Sequence, residues 1–244
     1  MTKQLLYRCV IGSQLYGTAT QDSDTDYLEV YAETPEQLFG LDTKDSLPQI
    51  VTDKEDTNKY WLKQYARLCS RSNPNVIESL YSNKVEFCDP LFRKYILNNK
   101  GFFISLDYLN NSHFGFAYSQ IKRMEIYSKD RGAARKEYVD KYGYDLKFFS
   151  HALRLIYQLE DFCNRGEIQF PLADALIDNL RSIRRGELSH TNALALWATE
   201  SARIEKTVKR NLVGLRKQPD IGLLNRVLIK FYKELLITNT FIGL

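Results

Sequence analysis

Residues 5–11 read LLYRCVI, a short apolar and partly β-branched run closed by Gly12, which is the pattern of a buried strand. Further on, Tyr27, Glu29 and Tyr31 alternate with Leu28, Val30 and Ala32, the period of a half-buried strand. DYLEVYAE is therefore expected to form a second strand, and Ser13 to Asp22 a small helical or irregular stretch. TPEQLFGL predicts a short helix with Pro35 in its first turn. QIVTDKEDTNKYW, residues 49–61, gives a third strand with a less regular pattern.

After that the period changes. In NKYWLKQYARLC, Tyr60, Leu62, Tyr65, Leu68 and Cys69 stand at helical spacing. NPNVIESLYS restarts a helix after Pro74, and VEFCD reads as a brief strand. Residues 102–128, 134–165, 171–185, 190–214 and 219–237 read as helices, broken by RGAA, NRGEIQFP and RRGELSH. The pattern predicts an α+β fold that is mixed early and all-α late. The expected division is a domain over residues 1–100 and a helical domain over 101–244.

Composition narrows the class without naming it. With 26% charged and 44% hydrophobic residues in 244, the chain is globular rather than disordered, with enough length for a sizeable core. The net charge of +4 is mild and does not by itself demand nucleic acid. Its distribution says more: residues 1–60 are acidic, while QIKRMEIYSKDRGAARK and RSIRRGE are basic. An acidic pole beside basic helices suits a site that holds cations and a polyanion together. Cys9, Cys69, Cys88 and Cys163 are scattered without a CxxC pair. With His113, His151 and His190 as the only histidines, they offer no zinc spacing. No apolar signal region or membrane-length run is present, so a reduced, cytoplasmic protein without membrane contact is expected.

The candidate chemistry sits in IGSQLYGTATQDSDTDYLEV. On a strand Asp24 and Asp26 point the same way, with about 6.5–7 Å between their Cα atoms, a spacing that suits carboxylates sharing divalent cations. Two-metal phosphoryl chemistry needs ions roughly 3.5–4 Å apart, and magnesium keeps room for a nucleotide's phosphates. A Gly-Ser turn leading into a helix start offers backbone N–H groups and a hydroxyl to a phosphate, and Gly12 lets it approach closely. A solvated acidic turn would use the same residue types. Asp22, Asp24, Asp26 and Glu33 also match positions of a calcium loop, but Tyr27 stands where that loop requires glycine.

Gly12-Ser13, Tyr16-Gly17 and Ser23-Asp24-x-Asp26 together resemble the GSxxYG…SDxD signature of the DNA polymerase beta-like nucleotidyltransferases. LCSRSNPNVIESL, YSQIKRM, EYVDKYGYDLKFFSHALRLI and LRSIRRGELS are similar, in order, to segments of its RlaP branch, the RNA repair pathway polymerase-beta family. The resemblance covers nearly the whole chain. It implies a mixed nucleotidyltransferase sheet with flanking helices, completed by a helical region. It also implies that Gly12, Ser13, Tyr16 and Ser23 belong to the nucleotide site and that Asp24 and Asp26 hold metal. A third carboxylate, which binds metal and activates the attacking hydroxyl, falls best on Asp56, with Glu55 as runner-up and Asp53 also in the segment.

In YGYDLKFFSHALRL, Lys147, His151 and Arg154 stand at i, i+4 and i+7, one stripe of a helix. Such a stripe faces solvent, an anion or a polar network, and Asp145 just before it could pair with one of the three. The resemblance points to contact with the nucleotide's phosphates. Lys122, Arg123, Arg184 and Arg185 could line a path for a polyanionic acceptor. The 16 tyrosines include candidates for base stacking. Glu78 could cap, form a salt bridge or orient a site residue.

The function implied is nucleotidyl transfer from an NTP, ATP first among them, to a hydroxyl, with two Mg2+ ions and Mn2+ as a substitute. The acceptor would be an RNA end such as a tRNA, or a protein side chain. The competing class is a catalytically retired nucleotide-binding adaptor. Neither the base, the acceptor nor the oligomeric state is written in the sequence.

Overall fold

The computed structural model describes residues 4–40, 50–51, 55–125, 133–210 and 217–242. Strand β1 (Leu5–Ile11) is the apolar run near the N-terminus, and β2 (Thr25–Tyr31) is the alternating one. They pair antiparallel, with Arg8 opposite Glu29, Cys9 opposite Leu28 and Ile11 opposite Asp26. The expected third strand is two: β3 (Ile50–Val51) and β4 (Glu55–Trp61) pair antiparallel, and β4 runs parallel to β2. With β5 (Val85–Cys88) on the far side of β1, the mixed sheet has the order β3-β4-β2-β1-β5.

Short helices fill the connections: α1 (Gly12–Tyr16), α2 (Pro35–Phe39), α3 (Leu62–Ser70), α4 (Pro74–Ile77) and α5 (Pro90–Tyr95). The helix expected from residue 58 begins at Leu62, because β4 continues through Trp61. Two 3-10 turns, Glu78–Tyr81 and Leu97–Phe103, complete this part. Six longer helices follow: α6 (Leu106–Glu125), α7 (Ala133–Tyr142), α8 (Leu146–Arg165), α9 (Asp174–Arg184), α10 (His190–Arg210) and α11 (Ile221–Ile242). The architecture is α+β with a helical C-terminal region. The expected helix ends at 126–128 and 211–214 lie outside the described residues.

The chain divides into two compact units, residues 1–108 with 216–244, and residues 109–215. In the first, alternation sorts the central strands into two unlike faces. Tyr7, Cys9, Leu28 and Val30 are buried on one, where the Tyr7 ring stacks on Phe92 of α5 at 4.9 Å. Tyr65 of α3 packs on that same ring at 5.9 Å, and the Tyr7 hydroxyl donates to the Ser79 carbonyl at 2.8 Å. The other face carries charge across four strands. Arg8 bonds Glu29 and Glu86, Lys59 reaches Glu29 at 3.4 Å, and the Tyr31 hydroxyl donates to Glu29 at 2.6 Å. The Arg8 guanidinium also lies 3.8 Å from the Tyr27 ring centroid.

Helix α11 belongs to this first unit. Its Glu234 accepts from Lys94 and from the Tyr95 hydroxyl of α5, and Phe231 meets Tyr95 edge-on. Its Tyr232 donates to Glu33, a carboxylate only 7% exposed at the end of β2. The other oxygen of Glu33 accepts the backbone N–H of Lys63 at 2.9 Å. Trp61 offers α3 no side-chain cap, so Glu33 caps that helix from a distance.

In the second unit α8 is the central helix, burying Phe149, Ala152, Leu153, Ile156 and Leu159 among α7, α9 and α10. The single helix expected over 134–165 is interrupted at residues 143–145. Gly143 takes φ +79°, and the Asp145 carboxylate accepts from the N–H groups of Lys147 and Phe148, which starts α8 afresh. Tyr144 then donates to the Leu188 carbonyl and stacks on His190 at 5.6 Å. Among the described residues no helix is long and apolar enough to cross a membrane.

Two stability outcomes follow from the first unit. Tyr232→Phe removes a hydrogen bond to a buried charge and is expected to cost about 1.5–3 kcal/mol in a denaturant melt. Hydrogen exchange should quicken first in α11. Glu29 provides a pH signature. Burial would raise its carboxyl, but the bonds from Tyr31 and Arg8 and the charges of Lys59 and Arg8 outweigh burial and hold it below the usual carboxylate value. A lowered folded-state pKa stabilises above the unfolded value and is lost as pH falls through the folded one. The stability gap between wild type and Glu29→Gln should therefore be full near neutrality and close as pH drops below the ordinary carboxylate range. Urea melts across an acid series measure it.

Candidate active site

At the end of β1 the chain turns sharply at Gly12, whose φ of +68° a residue with a side chain rarely adopts. A second constraint acts on the same residue. A Cβ on Gly12 would stand 2.0 Å from Oδ2 of Asp26, so the glycine makes room for that carboxylate. Helix α1 then runs for five residues and ends at Gly17 in the left-handed conformation, with Thr18 and Ala19 donating to the Ser13 carbonyl. Ile11 before it gives α1 no side-chain cap.

The segment after the 3-10 turn holds α1 in position. The Tyr16 hydroxyl meets both oxygens of Glu78 at 2.8 Å, and Glu78 is only 3% exposed. Ser82 donates to the Val10 carbonyl at 2.9 Å, and the Lys84 ammonium donates to the Gln14 carbonyl at 2.7 Å. Glu78, undecided from the sequence, thus orients the tyrosine of the signature. Lys84 brings a cation onto α1 that nothing in its local pattern announces.

Ser23 closes the loop leading to the acids: its hydroxyl accepts the Thr20 N–H at 2.9 Å, and its own N–H returns to the Thr20 carbonyl at 3.2 Å. Asp24 is exposed immediately before β2, and Asp26 is half-buried as the second residue of that strand. In the parallel ladder Asp26 is the register partner of Asp56, on strands about 4.8 Å apart. Glu55 pairs instead with Thr25, and Asp53 lies outside the described residues. Asp56 is half-buried, and its Oδ1 is a buried acceptor with no hydrogen-bond partner among the described residues. A buried polar atom left so is uncommon and costs about 1–3 kcal/mol unless something else meets it. Among the described residues no three His, Cys, Asp or Glu side chains form a ready metal cage. Gly12, Asp26 and Asp56 therefore lie together at one end of the sheet, with Ser13 and Tyr16 on the adjoining turn and Asp24 at the entry to β2.

Lys147, His151 and Arg154 share a stripe of α8 in the second unit, graded from exposed Lys147 through half-buried His151 to Arg154 at 7% exposed. Asp145 caps the helix, accepting from the N–H groups of Lys147 and Phe148. Arg154 donates to Gln158 at 2.9 Å, a residue that the same helical spacing would have picked out one turn further on. Lys122, Arg123, Arg184 and Arg185 are exposed, and Arg185 is engaged with Glu187. The four cysteines are free thiols. Burial pushes Cys9 up to about 12 and Cys163 up to about 11, so neither supplies a thiolate at neutral pH.

Comparison with known proteins adds a family to this description. The chain is 29% identical over 85 residues to the uncharacterized protein YcgL of Bacillus subtilis (strain 168), a match spanning 34% of this chain and 33% of that protein. No solved structure matches the chain significantly. A family model, however, covers residues 1–210, including the Gly-Ser turn, the paired acids and the α8 stripe. On that coverage the chain belongs to the RlaP family, the RNA repair pathway DNA polymerase beta family.

Proposed function

We propose that the protein is a divalent-metal-dependent nucleotidyltransferase that moves a nucleoside monophosphate from an NTP, ATP first, onto a hydroxyl acceptor. The observation carrying this reading is the in-register pair Asp26 and Asp56 beside Gly12, with one Asp56 oxygen buried and unmet by any donor among the described residues. That donor set fits magnesium, which is typically held by one or two carboxylates together with substrate phosphates rather than by an all-protein cage. Asp24, Asp26 and Asp56 would hold two Mg2+ or Mn2+ ions, which supply charge neutralisation at the phosphates when bound.

The chain's own groups do the rest. The N–H groups and hydroxyl of the Gly12-Ser13 turn receive the triphosphate, and Tyr16 and Ser23 keep the turn and the acidic loop in shape. Asp56 takes the proton from the acceptor hydroxyl. The freed oxygen bonds to the α-phosphorus as the bond to the bridging oxygen breaks, and pyrophosphate departs with that electron pair. Positioning and charge compensation carry such a reaction, with little further covalent work for the protein. The family's RNA repair label favours an RNA end as acceptor over a protein side chain. An adaptor that had lost catalysis would have no use for the two carboxylates kept in register.

Incubation with each α-labelled NTP, Mg2+, and total cellular RNA and protein tests the reading. Label should enter RNA, and Asp24→Ala/Asp26→Ala should abolish it. Label in polypeptide would move the acceptor class, and no label in either from any NTP would sink the enzyme. Asp56→Asn should lower transfer by roughly 10²–10⁴-fold while NTP binding persists, as for removal of a general base. If Glu55→Gln fails instead, the third carboxylate is misassigned. Gly12→Ala should abolish transfer as well, since its methyl group would occupy the place of the Asp26 carboxylate.

A further inference from the structure

A glycine inside a helix costs stability against alanine, and the fold gives Gly115 of α6 no reason to be one. It is exposed in the middle of a 20-residue helix, and its φ is not positive. A methyl group there would meet nothing within 4 Å. Tyr118 stands one turn further on. Helical side chains lean back over the preceding turn, so its ring lies on the Gly115 side. That ring is 47% exposed, yet it is held in place. It meets Trp197 of α10 edge-on at 5.4 Å and Phe114 at 6.2 Å, and both of those are buried. An exposed aromatic ring fixed by two buried ones, beside bare backbone, leaves room for a flat partner.

The charge around that ring favours a polyanion. Of the chain's 34 Lys and Arg and 30 Asp and Glu, residues 109–215 hold 17 and 13. The whole net charge of +4 therefore belongs to this unit, and the sheet-bearing unit is neutral. From Leu109 to Ile121 α6 contains no Asp, Glu, Lys or Arg. Lys122 and Arg123 then follow, both exposed, at i+4 and i+5 from Tyr118. Residues 122–136 contain six Lys and Arg against two acids, Glu125 and Asp130. On α10, which carries Trp197, the carboxylates are engaged: Arg203 meets Glu200 and also Glu160 of α8, and Lys209 reaches Glu205 at 3.8 Å.

We propose that Gly115, Tyr118 and Lys122 of α6, backed by Trp197, form a contact surface for single-stranded RNA. An unpaired base stacks on Tyr118 over Gly115, and a neighbouring phosphate meets Lys122. Stacking of this kind needs a base free of its pairing partner, and the cation one turn away suits the phosphodiester. A docked peptide helix would want a row of apolar anchors, but Asn111 and Ser119 stand on this side of α6. The surface deepens the nucleotidyltransferase reading by giving an RNA acceptor a place to be held. Its role in the reaction rests on that reading; its chemistry stands on the helical unit alone.

Fluorescence anisotropy of a labelled, unstructured RNA about 12 nucleotides long, with the full chain and without metal or NTP, tests the surface. Wild type should bind the single strand and bind the same strand in a duplex more weakly. Tyr118→Ala should weaken binding about tenfold, while Tyr118→Phe keeps it. Lys122→Gln should weaken it about threefold and flatten its salt dependence. Gly115→Ala separates function from structure: it should raise the melting temperature and still weaken RNA binding about threefold. No RNA binding by wild type, a duplex bound as well as the single strand, or unchanged affinity in folded Tyr118→Ala overturns the proposal. Should that variant not fold, unchanged affinity in Gly115→Ala overturns it. A cellular protein retained by wild type and lost in Tyr118→Ala, with no RNA bound, assigns the face to a protein and overturns it too. Binding is scored without metal or NTP, so Tyr118-dependent binding without any nucleotidyl transfer sinks the enzyme and leaves the surface standing.

Discussion

Gly12 governs the candidate site because two demands meet on one residue. The chain must leave β1 with a positive φ, and the Asp26 carboxylate must fit where a side chain would otherwise stand. Either demand alone could be met in other ways, by asparagine at the turn or by a shift of the strand. Both together leave glycine. The antiparallel register of β1 and β2 brings Ile11 opposite Asp26, and the parallel register of β2 and β4 brings Asp56 beside it. The acids are thus positioned by backbone hydrogen bonding, which is stiffer than any side-chain arrangement.

The supports around this corner come from far along the sequence. Tyr16 leans on Glu78, Val10 receives Ser82, and Gln14 receives Lys84, so residues 78–84 brace the turn from the β5 side. A buried carboxylate such as Glu78 is costly without donors, and the Tyr16 hydroxyl meets both its oxygens. The link between sequence and site is then direct: the tyrosine of the signature secures the turn, the glycine admits the acid, and the serine of SDxD closes the loop before it.

Much of this was legible in the chain because local pattern and tertiary demand agree there. The run LLYRCVI and the alternation from Tyr27 to Ala32 are strands whose burial the side chains already announce. Residues 55–61 were harder to read, since Glu55, Asp56, Thr57, Asn58 and Lys59 carry no apolar alternation. Their strand exists because β2 and β3 pair with it on either side. The break at residues 143–145 was half visible, as Gly143 and Asp145 are a stop and a start for helices separated by one residue. Gln158, the partner of Arg154 one turn further on, was not singled out, because a neutral amide on a helix carries no signal of its own.

The bond between Tyr232 and Glu33 spans 199 positions, and the whole of residues 109–215 is spliced between the two halves of the sheet-bearing unit. On the ribosome the strands emerge early, yet the helix that closes over Glu33 emerges only after the inserted residues 109–215. The inserted helices can therefore finish folding while the sheet still waits for its final piece. Until residues 216–242 follow, the nascent chain holds an incomplete sheet unit, whatever state the inserted helices have reached.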